Sequence, residues 1–260
     1  MITVQGVAAF LNKFAPARLA EEWDNVGLLV GDRTRQVSRL MTCLTVTPAT
    51  AAEAVTEKTE MIVSHHPLPF RPVRRLTTET TAGRLLLELI GAGIAVYSPH
   101  TAFDSARVGV NQRLAKGLGL RGVAPLVPAE EGLGSGRWGW LDEPATLEGL
   151  AGRVKTFLGL ERVQVVGDAG HPIRTVGVAC GSAGELLEAA IANECDCFLT
   201  GETRFHTCLE AEARGVALIL TGHFASERFA VEYLAEVLQS QFPELGIWAS
   251  RDERDPLRWA

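Results

Sequence analysis

Two adjacent histidines, His65 and His66, follow the apolar run Met61-Ile62-Val63 and precede Pro67. In an extended segment neighbouring side chains point to opposite faces, so a histidine pair at a strand end can serve two metal ions. The i, i+4 pair of a helix, which serves one ion, does this less readily. Tyr97-Ser98-Pro99-His100-Thr101-Ala102-Phe103-Asp104 is a second apolar strand end followed by an imidazole and a carboxylate. Gly222-His223-Phe224-Ala225-Ser226-Glu227 is a third, opening a helix in which His223 and Glu227 stand on one face. Open α/β sheets place functional side chains at such strand ends, so the set reads as a two-metal hydrolytic centre. Nitrogen and carboxylate donors suit Zn²⁺, Mn²⁺, Fe²⁺, Co²⁺ or Ni²⁺, and the lack of thiolates argues against a structural zinc site built of cysteines. Two divalent ions set against Asp104 and Glu227 leave net positive charge, which favours an anionic substrate.

Each member also has a plainer reading. Asp104 is a good N-cap for a helix expected over Ala106 to Gly117, and Glu227 suits a solvated helix face. Gly181-Ser182-Ala183-Gly184 resembles a phosphate-holding helix start, but no P-loop lysine follows, and an ordinary βα turn explains it better. Cys195-Asp196-Cys197 invites a metal, yet small buried cysteines at the start of the strand-like Cys197-Phe198-Leu199 are the commoner case. His206 is either an acid or phosphate contact or a surface residue. No G-x-S-x-G elbow occurs, and Cys180 and Cys208 lack a local base motif.

These residues must be positioned by an alternation of β-branched runs and helical stretches. Leu40 to Val46, Met61 to Ser64 and Ile94 to Ser98 read as strands, and Pro48 to Lys58 and Gly83 to Ile90 as helices. The fold class is therefore α/β, built from βαβ units on mixed sheets. Val4, Val7, Ala8, Leu11 and Phe14 give the N-terminus an amphipathic helix rather than a signal peptide. Gly122 to Gly139 carries Gly, Pro and Glu without periodicity and marks a junction. Beyond it Thr175 to Ala179, Cys197 to Thr200 and Val216 to Leu220 read as strands, and Glu185 to Asn193 and Thr207 to Arg214 as helices. If His223 is to meet His65 and Asp104, the end of the chain must fold back. The first, metal-binding domain is then discontinuous (1–124 plus 217–260), with a second α/β domain (125–216) inserted. The tail from Arg251 to Ala260 is charged and irregular and carries little information.

Composition narrows the partners. The 260 residues are 47% hydrophobic, enough for a packed core, and 31 acids against 25 bases give a net charge of −6. Without a block of like charge, this argues against nucleic acid as the main partner. The passage Leu85 to Tyr97 is broken by Glu88, Gly91 and Gly93, so no membrane span is expected. Five cysteines without an export signal point to reduced thiols and a cytoplasmic protein.

Five segments together carry a resemblance: Glu22-Trp23-Asp24-Asn25-Val26-Gly27-Leu28, Ser64-His65-His66-Pro67-Leu68, His100-Thr101-Ala102-Phe103-Asp104, Thr200-Gly201-Glu202 and Gly222-His223-Phe224-Ala225-Ser226-Glu227. In this order they resemble the dinuclear-metal-centre hexameric family named after NGG-interacting factor three and described as GTP cyclohydrolase 1 type 2-like. The resemblance implies two α/β domains and a homohexameric toroid built as a trimer of dimers, with two divalent ions facing its cavity. Their ligands would be His65, His66, Asp104, His223 and a bridging Glu227. Trp23, Asp24 and His100 fall on motif positions that support the ligands or line a substrate pocket. The implied activity is hydrolytic opening of the guanine ring of GTP at C8 with release of formate, and His100 or His206 as proton donor. The alternatives are a metal-dependent phosphoesterase and a non-enzymatic metal-binding scaffold. The chain departs from the family pattern where Leu44-Thr45-Val46-Thr47 replaces the common Leu-Asp-x-Thr, so that Thr45 stands for a carboxylate.

Overall fold

Met61–Ser64 is buried at every position, which suits a strand flanked on both sides in a sheet covered on both faces. It pairs in parallel with Arg39–Cys43 on one side and Ala95–Ser98 on the other. Gly246–Ala249 adds in parallel beyond Arg39–Cys43, and Gly27–Val30 adds antiparallel beyond Ala95–Ser98, giving a mixed five-stranded sheet. Against it pack Pro48–Thr56, whose Thr47 and Thr50 form a capping box, and Thr81–Ala92, which ends where Gly93 turns left-handed. Met41, Ile62, Leu85, Leu89 and Val96 form the core between them. The N-terminal helix Val4–Phe14 buries Val4, Val7, Ala8 and Leu11, the apolar stripe expected of it.

The computed structural model describes residues 1–130 and 132–258. It divides into two compact units, Met1–Phe103 with Ala230–Ala260, and Asp104–Phe229. The sheet of the second unit is six-stranded and mixed, in the order Arg121–Ala124, Arg137–Thr146, Pro172–Ala179, Cys197–Thr200, Ala217–Leu220, Gln164–Val166. Three adjacent strands, Pro172–Ala179, Cys197–Thr200 and Ala217–Leu220, are parallel, and their Ala179, Phe198 and Leu218 share a core with Leu187 and Ala190. Among the described residues no helix is long and apolar enough to cross a membrane.

Three local expectations change. The sequence reading puts residues 217–260 with the first domain, whereas Ala217–Leu220 pairs with Cys197–Thr200 and Gln164–Val166 and so belongs to the second unit, as do Asp104, His223 and Glu227. Residues 122–139 are not an irregular junction: Val127–Glu130 and Leu133–Ser135 form a small hairpin and Arg137–Thr146 is a long strand. Gly122, Gly134 and Gly136 take positive φ there, and the breaks they make hide the alternation. Asp104 lies in the short helix His100–Ser105, and the next helix, Val110–Gly117, is capped by Gly109, so Asp104 is not its cap.

Candidate metal centre

In the first unit the parallel ladder continues past the strand ends. The N–H groups of His65 and His66 donate to the carbonyls of Cys43 and Leu44 at 2.9 and 2.8 Å, and Ser98 Oγ donates to the His65 carbonyl at 2.5 Å. The backbones of both histidines are thereby fixed before any ion is considered. Thr45 Oγ1 lies 2.7 Å from His66 Nδ1, leaving Nε2 as that ring's other donor site. Behind Thr45, the buried carboxylate of Glu253 accepts the N–H groups of Leu44 and Thr45 at 2.8 and 2.7 Å.

His100 begins the next turn with φ of 28°, a left-handed conformation that a residue with a side chain adopts only under constraint. The constraint is Asp24. Its carboxylate accepts His100 Nδ1 at 2.7 Å and both the N–H and the hydroxyl of Thr101, at 3.1 and 2.5 Å. Burial raises the pKa of Asp24, but the bonds from His100 and Thr101 and the nearby imidazolium charge outweigh it, and the carboxyl is held below its usual range. An ionised Asp24 keeps the proton on His100 Nδ1, which leaves Nε2 as the ring's other polar atom. The rings of His65, His66 and His100 lie 5.2 to 5.5 Å apart between centroids, and one nitrogen from each falls within 4.8 Å of the others. Those three imidazoles could hold a divalent ion. Trp23 and Phe70, both exposed, lie 5.9 and 6.0 Å from the His100 ring and 5.9 Å from each other.

In the second unit His223 is the first residue of the helix His223–Gln241. Its Nδ1 donates to Glu202 Oε1 at 2.9 Å and its Nε2 lies 3.2 Å from Glu227 Oε2, one turn on. The hydrogen bond to Glu227 does most to push its pKa up to about 9, against burial and with help from both carboxylate charges. Two glycines make room for this pair. A Cβ at Gly181 would collide with the Glu227 carboxylate, and one at Gly201 would lie 2.5 Å from the Gly181 carbonyl and 2.6 Å from Ser226 Oγ. The Gly181 N–H donates to Ser226 Oγ at 2.9 Å, so this turn packs against the helix start, as a plain βα turn would. Asp104 Oδ1 accepts the Cys180 thiol at 3.1 Å. Burial first, then the charges of Asp104 and Glu227, raise the Cys180 pKa well above the ordinary value, so the thiol stays protonated.

Of the residues singled out in the sequence, the structure groups His65, His66 and His100 in one unit and pairs His223 with Glu227 in the other. His206 is exposed on Phe205–Ala213 with its ring against Phe205, and it is not in a ligand-range cluster among the described residues. Cys195 and Cys197 are buried, and the Asp196 carboxylate between them accepts the N–H groups of Arg174 and Thr175 at 2.8 Å, a structural arrangement. Sequence reasoning missed what Glu202 and Glu253 do. Glu202 falls in the segment Thr200-Gly201-Glu202, whereas Glu253 sits in a tail without periodicity that carries no local signal.

The Duf34/NIF3 (NGG1p interacting factor 3) family model matches residues 2–256. A GTP cyclohydrolase 1 type 2 homolog of Clostridium acetobutylicum is 31% identical over 99% of both chains, and a NIF3 homolog of Schizosaccharomyces pombe is 37% identical over 92% of both. The crystal structure of a Staphylococcus aureus hypothetical protein superposes with a TM-score of 0.90 at 26% identity, covering 99% of both chains. A family match over nearly the whole chain, with the histidine and glutamate segments in order, places this chain in the Duf34/NIF3 family.

Proposed function

We propose that the chain is a metal-dependent hydrolase that opens the guanine ring of GTP and releases formate. The observation that carries the reading is the way the imidazoles are held: Nδ1 of His66, His100 and His223 rests on Thr45, Asp24 and Glu202 respectively. Metal-binding histidines are characteristically held by a partner on the second ring nitrogen, which fixes the tautomer and aims the first. The donor set fits divalent ions: the imidazoles of His65 and His66 in one unit, and an imidazole and carboxylates in the other. In this reading His65, His66, Asp104, His223 and Glu227 are the residues that would hold two ions. Bound there, the ions would lower the pKa of water towards neutrality and counter the charge of the substrate.

The remaining work falls to the chain itself. Each C–N cleavage needs a proton on the departing nitrogen, and in this reading His100 gives it from Nε2, Asp24 favouring the imidazolium beforehand and keeping the proton on Nδ1 of the neutral ring that remains. The exposed rings of Trp23 and Phe70 offer a planar base a surface to stack on beside His100. His206, exposed on a separate helix, is the less suited donor of the two. The names of relatives in Clostridium acetobutylicum, Clostridium perfringens and Streptomyces coelicolor as GTP cyclohydrolase 1 type 2 homologs support the same substrate. With the activity goes the assembly expected of the family: a discontinuous metal-binding domain, a homohexamer built as a trimer of dimers, and a cytoplasmic location.

The test is to load the protein with Mn²⁺, Fe²⁺, Zn²⁺ or Ni²⁺ in turn, offer GTP and simple phosphoesters, and assay formate and phosphate together. Formate from GTP is the expected product. Phosphate without formate would mark a phosphoesterase, and neither product with any bound metal would mark a scaffold.

A further inference from the structure

We propose that Glu253 is a positioning residue for His66, setting a carboxylate from the C-terminal segment behind the Thr45 hydroxyl that touches its ring. The turn Leu44-Thr45 touches His66 twice: the Leu44 carbonyl accepts its N–H at 2.8 Å, and Thr45 Oγ1 sits 2.7 Å from Nδ1. Glu253 grips the outer side of the same turn, each carboxylate oxygen taking one of two consecutive N–H groups. Only 6% of Glu253 is exposed, and a buried carboxylate is retained where several donors satisfy it.

The tail that carries Glu253 is locked along its length. Gly246–Ala249 pairs with Arg39–Cys43, and the Ser250 N–H donates to the Thr42 carbonyl at 2.8 Å. The carboxylate of Glu53 then takes Trp248 Nε1 at 2.9 Å, Ser250 Oγ at 2.5 Å and the N–H groups of Arg251 and Asp252 at 3.1 and 3.2 Å. A threonine hydroxyl can orient an imidazole but brings no charge, and Glu253 places the charge one hydrogen-bond layer behind it.

This inference rests on the reading of His66 as a metal ligand, and the experiment separates the two. Zn²⁺ and Mn²⁺ affinities of the full-length chain are measured by titration, and the His66 tautomer in the metal-free protein by nitrogen NMR. Glu253→Gln turns one acceptor into a donor against an N–H group. It is expected to weaken affinity roughly 10- to 100-fold, the range typical of groups behind a ligand, and to mix the His66 tautomers. Thr45→Asp alone sets a second carboxylate beside Glu253 and also weakens binding, but Thr45→Asp combined with Glu253→Gln recovers most of the loss, which a merely structural role would not do. Should Glu253→Gln fail to fold, Glu253→Asp, which keeps the charge and shortens its reach, enters the same comparison. Losses that simply add, or affinity and tautomer unchanged in Glu253→Gln while His66→Ala loses metal, would overturn the proposal. No loss in His66→Ala would instead remove His66 from the ligands.

Discussion

The two units present the same donor chemistry by different means. In the first, a parallel ladder running past the strand ends fixes His65 and His66 from the backbone, and their neighbourhood is buried. In the second, His223 and Glu227 sit one turn apart at a helix start, with the imidazole side chain 35% exposed and the glutamate 5%. The partners differ accordingly: His66 leans on a neutral hydroxyl, whereas His223 lies between two carboxylates. The two carboxylates hold the proton on His223 near neutrality, so an ion bound there would have to displace it. His65 and His66 are set by the fold of the first unit, and His223 by the charges around it in the second.

The comparison breaks most visibly with the ligands. His66→Ala and His223→Ala are each expected to remove one ion and abolish turnover, read by metal content and formate release. Next comes His100→Gln, expected to lower kcat by roughly 10²–10⁴-fold, the usual contribution of a positioned proton donor, with metal content retained. Loss of metal in that variant would instead make His100 a ligand. Asp24→Asn should lose less and shift the acid limb of the pH–rate profile.

Gly181→Ala probes the packing that the second unit needs. The added Cβ meets the Glu227 carboxylate in a left-handed backbone, so a loss of about 1–3 kcal/mol is expected in chemical denaturation. Equal stability would show that the glutamate does not need that space.

The smallest effect is electrostatic. In the metal-free protein His223 should titrate near 9 by NMR, and Glu202→Gln should bring it towards the ordinary value of 6.5. Because the folded value is raised, the stability it contributes is complete below pH 6.5 and fades as pH climbs through about 9. A His223 that titrates at 6.5 in the unsubstituted chain would remove the contrast between the units.

Much of this was legible in the sequence because it depends on local signals. Met61–Ser64 and Ala95–Ser98 announce themselves as apolar runs ending at histidine, and the spacing of His223 and Glu227 is one helical turn. Contacts made across long separations were not legible. Asp24 reaches His100 across 76 positions and Glu253 reaches Thr45 across 208, and no local pattern encodes either. The hairpin at 127–135 was hidden because its strands are short and broken by positive-φ glycines. The strand Ala217–Leu220 was visible as a strand, but its sheet is decided by its pairing partners, which sequence periodicity does not name.

The most direct test of the whole account is the number of ions the protein binds. Titration of the metal-free chain with Zn²⁺ or Mn²⁺ should saturate at two ions per chain, falling when either His66 or His223 is replaced by alanine. Saturation that ignores both substitutions, or no tight binding of any divalent ion, would contradict it.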